Sequence, residues 1–230
     1  MKKSALTLLG GVFALIAFAA VSKAQSITIQ NGDFTDPTLA NGAFTAYTAG
    51  AGIPDWVTGS AYAGVQNFAG TGHYATMPTA SPNAAFNDGS NIGGAASFYQ
   101  DLTGDGSLDL LAAGTYTLTA YGGWRFDKSW PGGSISLETS TGDVLGTAAL
   151  VQPTQGYFAL TTLTVPISVA NGDIGEQLRV VMTSNGNSTG FDDVALNFAA
   201  APEPSTWAMM IAGLAFLGFL GIHRRSLLRS

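Results

Sequence analysis

The chain has no cysteine among its 230 residues. That rules out a disulfide framework and removes thiolate chemistry, both nucleophilic and metal-binding. Charge is also sparse: Asp, Glu, Lys and Arg make up 10% of the residues, and there are two histidines. His73 is the only histidine between residues 25 and 200, and nothing near it in sequence makes a catalytic triad. Long amphipathic helical patterns and repeats of solenoid or propeller period are missing. Basic residues are nearly absent from the middle of the chain. Residues 25–200 hold Arg125, Lys128 and Arg179 against fourteen acidic groups, a net charge of −11 in a chain whose total is −6. Such a surface excludes nucleic acid as a partner. It suits calcium, which selects carboxylate and carbonyl oxygens, and it equally suits plain solubility.

What the chain does have in quantity is glycine, 30 residues, together with much Thr, Ser, Ala and Asn. That is a turn-rich all-β composition. Strands are expected at residues 26–30, around 61–66, and at 96–102, 115–121, 134–139, 158–165, 177–183 and 191–198. The clearest is 115–121, where Tyr116, Leu118 and Ala120 alternate with Thr115, Thr117 and Thr119. Residues 35–95 read as mostly irregular. At least six short strands separated by turns predict a single antiparallel β-sandwich of the jelly-roll kind over residues 25–200.

The two ends read as targeting elements. Lys2 and Lys3 precede an apolar stretch at 5–21, and Ser22-Lys23-Ala24 sets small residues before a cleavage point. A signal-peptide helix over residues 1–24, cut after Ala24, is expected. Near the other end, residues 207–222 carry no charge and are followed by His223, Arg224, Arg225 and Arg229. At about 1.5 Å per residue this run spans roughly 24 Å, enough for a transmembrane helix in a locally thinned bilayer with the arginines on the cytoplasmic side.

Pro202-Glu203-Pro204, the apolar run and the Arg224/Arg225 cluster occur in that order over residues 201–230. Together they resemble the PEP-CTERM sorting signal of bacterial surface and exopolysaccharide-associated proteins. The resemblance implies an exosortase, a membrane protease-transpeptidase, as partner. It also implies an inner-membrane-anchored precursor destined for the cell surface or extracellular matrix. Pro202, Glu203 and Pro204 would then be a recognition site for another enzyme. The bland alternative is an extended linker, since the residue before each proline is pushed out of helical space.

A second resemblance covers about residues 26–198. Asn31-Gly32-Asp33-Phe34, Gln100, residues 113–118 (AGTYTL) and residues 191–196 (FDDVAL) follow the order seen in the galactose-binding-like jelly roll of carbohydrate-binding modules. That family often joins its first and last strands through calcium. The resemblance therefore implies Asp33, Asp36, Asp192 and Asp193 as ligands of a structural calcium, although Thr35 stands where the usual glutamate would be. Turn carboxylates capping backbone amides are the simpler reading. Asp101, Asp105 and Asp109 are spaced every four residues, unlike a helical calcium loop.

Aromatic residues crowd one loop. Tyr121, Trp124 and Trp130, with Arg125 among them and Trp56 elsewhere, are the candidate sugar-binding residues. Rings can stack on sugar C–H groups while polar neighbours take the hydroxyls, although core packing competes with that role. No nucleophile, triad or carboxylate pair with a local signature appears. The expectation is therefore a non-enzymatic exported protein of the biofilm or exopolysaccharide. A specific carbohydrate-binding module and a small glycan hydrolase are the alternatives.

Overall fold

The computed structural model describes residues 23–45, 52–59, 63–88, 94–186 and 188–201, which fall in one compact unit, Lys23–Ala201. The expected signal-peptide helix, the helix at 207–222 and the sorting residues Pro202, Glu203, Pro204, Arg224 and Arg225 lie outside the described residues. Among the described residues no helix is long and apolar enough to cross a membrane.

Among the described residues eleven strands form two antiparallel sheets, the β-sandwich that the sequence leads one to expect. In chain order they are β1 (Gln25–Ile27), β2 (Val57–Thr58), β3 (Ala63–Asn67), β4 (Asn83–Asn87), β5 (Ala96–Asp101), β6 (Gly114–Gly123), β7 (Gly133–Thr139), β8 (Val144–Ala149), β9 (Phe158–Ile167), β10 (Leu178–Ser184) and β11 (Thr189–Ala200). One sheet has the order β3-β4-β11-β6-β9, with β1 also paired to β11, and the other is β2-β5-β10-β7-β8.

Alternation decides which side of each strand is buried. Tyr116, Leu118 and Ala120 of β6 stand opposite Val165, Leu163 and Thr161 of β9. Leu118 and Tyr116 also pair with Leu196 and Phe198 of β11. These side chains meet Phe98, Ile135, Leu137, Val180 and Met182 of the other sheet in one core. The sandwich is sealed by burial of apolar area, with each fully buried large side chain worth about 1.5–3 kcal/mol.

The differences from the sequence reading have local causes. β4 is buried along its whole length, so Asn83–Asn87 shows no alternation to detect. β8 is an edge strand interrupted by Gly146 and mostly open to solvent. β1 stops at Ile27 because the Thr28 N–H turns to the Asp105 carboxylate, while the Gln30 N–H goes to the Gln100 side chain at 2.9 Å. The Gln100 amide in turn donates to the Gln30 and Asp55 carbonyls at 2.8 and 2.9 Å, which ties β5 to the first turn.

Candidate active site on the outer face of the larger sheet

β11 changes register between Asp192 and Ala195, and Asp193 has φ +50°. The bulge sits where β11 passes from pairing with β4 to pairing with β1. The Val194 N–H caps this gap by donating to the Gly32 carbonyl at 2.8 Å. The first turn and the last strand are thus neighbours. Phe191 points into the core, so Asp192 points to the outer face of the sheet.

That outer face is covered. One row across the sheet reads Gly64, Phe86, Gly190, Gly123, Phe158. Aromatic groups lie directly over the glycines. A Cβ on Gly123 would lie 2.6 Å from the Phe158 ring, and one on Gly190 only 2.5 Å from Tyr74 Oη. The Tyr74 ring lies 4.5 Å from Phe158 and 4.9 Å from Phe68, centroid to centroid. Its ring is partly exposed but its hydroxyl is enclosed, and burial pushes that hydroxyl well above the ordinary phenol range. The next outward row holds Asp192 beside Tyr121, which pairs in turn with Leu160.

The cover is the connection between β3 and β4, residues 68–82. Its neck is closed by the Phe68 N–H on the Pro82 carbonyl at 2.8 Å. Its tip is fastened by two backbone bonds, Ala75 N–H to Gly156 O at 2.8 Å and Phe126 N–H to His73 O at 2.9 Å. Beside them Arg125 makes a two-point pair with Asp127 at 2.9 and 2.8 Å and reaches the His73 ring at 3.0 Å. Burial and the Arg125 charge hold His73 below its ordinary value, although Asp127 opposes them. The hydrogen bond from Arg125 keeps Asp127 below the usual carboxylate range.

Asp192 is completely buried beneath this cover. Its Oδ1 accepts the Asp193 N–H at 2.9 Å, and its Oδ2 is 3.3 Å from Thr79 Oγ1. Burial pushes its carboxyl up to about 7, helped by the charges of Asp193 and Asp33, while those two hydrogen bonds pull the other way. A carboxylic acid that still holds its proton near neutral pH is a general acid in waiting.

The other expected site residues are distributed as follows. Trp56 is 3% exposed and sits in the core at 5.2 Å from Phe98 and 5.7 Å from Phe34, with its indole N–H on the Gln30 carbonyl at 3.1 Å. It is a packing residue, and the sugar-stacking expectation does not fit its burial. Trp124 and Trp130 stand side by side at 5.9 Å, both partly exposed, and Trp124 donates to the Lys128 carbonyl at 2.9 Å. Arg125 is occupied by Asp127 and His73. Tyr121 stands opposite Asp192 in the pairing of β6 with β11.

Of the four proposed calcium ligands, Asp33, Asp36 and Asp193 are exposed and only Asp192 is buried. The Asp33 carboxylate turns back on its own loop, accepting from the Thr35 hydroxyl at 3.0 Å. The Asp36 N–H donates to Asn31 Oδ1 at 3.1 Å. Among the described residues no group of three or more acidic or histidine side chains comes together to hold an ion. Sequence reasoning found Asp192 but missed Tyr74 and Thr79, which lie in the stretch read as irregular.

The fold is a two-sheet antiparallel β-sandwich with a buried carboxyl on the outer face of one sheet. The profile of the HpiC1-like family, HpiC1 cyclase, matches residues 25–197, three quarters of the chain, and the chain belongs to that family. This corrects the expectation of a non-enzymatic protein, which rested on the lack of a nucleophile or triad. A proton donor needs neither.

A second profile, the PEP-CTERM protein-sorting motif, matches residues 200–225. It implies processing by an exosortase and an exported, membrane-anchored precursor.

Solved structures agree on the fold. The Stig cyclase Fisc from Fischerella sp. TAU, in complex with (3Z)-3-(1-methyl-2-pyrrolidinylidene)-3H-indole, is 22% identical with a TM-score of 0.63, covering 78% of this chain and all of that one. The apo form of a cyclase from Fischerella sp. is 23% identical with a TM-score of 0.64, covering 77% and 98%. An arabinose-bound MgGH51 α-L-arabinofuranosidase is 14% identical with a TM-score of 0.51, covering 75% of this chain and 26% of that one. No curated protein matched.

Proposed function

We propose that this protein is an exported cyclase-type enzyme in which Asp192 gives a proton to a small unsaturated substrate and so starts an intramolecular ring closure. The observation that carries the reading is the buried Asp192 carboxyl, raised to about 7, in a chain of the cyclase family. The proton adds to an electron-rich carbon of the substrate, and the cation so formed is captured by an internal double bond. Loss of a proton back to the Asp192 carboxylate restores the enzyme. The product is an isomer of the substrate, so no co-reactant is consumed. Tyr121 beside Asp192, with Phe86 and Phe158 in the next row and Tyr74 on the cover above them, gives aromatic surroundings that suit a flat apolar substrate and a transient cation. The indole ligand of the Fischerella cyclase is of that kind.

The test is isomer formation. The full chain is incubated with a small-molecule extract of its host, and products are separated by chromatography with exact-mass detection. A new peak with unchanged molecular formula, present with the native protein and absent with Asp192→Asn, is expected. Identical traces for both proteins would sink the reading.

A second reading, glycan binding in the matrix, is favoured by the partly exposed Trp124–Trp130 pair and by Phe126, which is 48% exposed in the same loop. Saturable binding of host exopolysaccharide, lost in Trp124→Ala without loss of fold, is the expected result if it operates. For sorting, the intact mass of the mature protein from the host should lack residues 1–24 and end near Pro202-Glu203-Pro204. A mass retaining residues 207–230 would contradict that processing.

A further inference from the structure

No molecule from outside can touch Asp192 as the chain stands. Its exposure is 0%, and the Tyr74 ring of the cover lies against Phe158 with its hydroxyl over Gly190. A residue that reacts with a substrate needs a way in, and residues 68–82 are what stands over it.

The cover is built differently from the sheet beneath it. No residue from Ala69 to Pro82 is fully buried. A segment with few buried apolar contacts opens at little cost compared with a core strand. Its two ends belong to β3 and β4, which pair with each other from Ala63–Asn87 to Asn67–Asn83, and the Phe68–Pro82 bond closes the neck. The segment can therefore lift as a flap without breaking a strand. Gly70 and Gly72, near the neck, have φ +73° and +71°, and a Cβ on either would meet nothing within 4 Å. They are unpacked and conformationally free at the place where a flap must bend.

What holds the flap down is polar and lies at its tip. Arg125, its side chain 14% exposed, is anchored on the body by Asp127 at 2.9 and 2.8 Å and by Ser188 Oγ at 3.4 Å. With its proton on Nδ1, the His73 ring of the cover donates to Asp127 Oδ1 at 3.3 Å and accepts from Arg125 Nη2 at Nε2, 3.0 Å away. One tautomer thus meets both partners, and the Arg125–Asp127 pair clasps the ring.

We propose that residues 68–82 are a lid, hinged at Gly70 and Gly72 and latched where the Arg125–Asp127 pair clasps His73, and that substrate reaches the outer face of the larger sheet only when this latch is undone. The inference rests on the reading of that face as the active site. Arg125 and His73 are positioning residues in this scheme. They set how often the site stands open, and closure returns Tyr74 and Thr79 to the face and shuts water out.

The experiment is hydrogen exchange read by mass spectrometry on the full chain in detergent micelles. Amides of residues 70–81 are expected to exchange as one unit, far sooner than those of β6 and β10. In Arg125→Ala that exchange should speed up by roughly tenfold or more while β6 and β10 keep their native rates. His73→Ala removes the same clasp from the cover's side, leaves the 124–130 loop intact and should do likewise. The opposite arm uses the lack of cysteine. Ala75→Cys and Tyr157→Cys, both at exposed positions beside the Ala75–Gly156 backbone bond, are introduced together and joined by a short bifunctional thiol reagent. Joining them should slow exchange in residues 70–81 and abolish isomer formation from the host extract, while the unjoined double variant stays active. Unmoved exchange in both alanine variants, or a native cover that exchanges no sooner than β6, overturns the latch. A joined protein that forms isomer at the unjoined rate overturns the lid. If the native protein forms no isomer while exchange behaves as expected, the acid reading falls and the lid stands, so the two failures are told apart.

Discussion

Asp192→Asn is expected to abolish isomer formation and at the same time to stabilise the protein at pH 8. The carboxyl is held near 7 when folded, against an ordinary value of 3.8. The folded state therefore keeps a proton that the unfolded chain gives up between those two values. Stability from this group is complete below about pH 4 and is lost as pH rises to about 7. Three pH units correspond to a penalty on the order of 4 kcal/mol above pH 7. Asparagine is neutral throughout. Its oxygen can accept the Asp193 N–H, and its amide can donate to Thr79. Urea unfolding at pH 5 and pH 8 should show the variant gaining on the native protein at the higher pH. Equal pH slopes for the two proteins would mean that Asp192 titrates normally. Activity of the native protein should likewise fall above pH 7, as the acid becomes a carboxylate.

Trp56→Ala is the second large effect, and it falls on stability. Trp56 closes an aromatic group with Phe34 and Phe98, and Phe98 continues it to Phe191 at 5.4 Å. Removing a fully packed indole leaves a cavity and takes from the Gln30 carbonyl one of its two donors, the Gln100 amide remaining. A loss of about 3–5 kcal/mol is expected. For a domain of this size that lowers the thermal midpoint by roughly 10 °C. Trp124→Ala, at a half-exposed site, should cost well under half as much. Calorimetry on the two variants decides the matter, and similar losses in both would show that Trp124 is also a core residue.

The sandwich was legible wherever a strand has one wet and one dry face. The Thr-x-Thr-x-Thr outer edge of β6 and the Val194, Leu196, Phe198 series of β11 announce themselves by period two. β4 could not be seen this way, because both its faces are covered, one by the core and one by the cover. The site was half visible. Asp192 stood out as one of two adjacent carboxylates in a strand, and the nearness of the first turn to the last strand entered only through the family resemblance. Calcium and a raised pKa are two answers to the same question of how a carboxyl is buried. The cover lies in a stretch read as irregular, and its Tyr74 and Thr79 have no periodicity to mark them. The glycines at 123 and 190 were counted as turn formers. They are instead flat places in a sheet on which rings lie.

The position of β11 bears on the order of events during secretion. This strand holds β1, β4 and β6 together, and it is the last strand before the sorting motif begins at residue 200. The larger sheet has no centre until it arrives, so the fold closes only once residues 189–200 are free to pair. The Ala201 N–H still reaches the Ala113 carbonyl at 3.2 Å, so the ordered pairing runs up to the residue before Pro202.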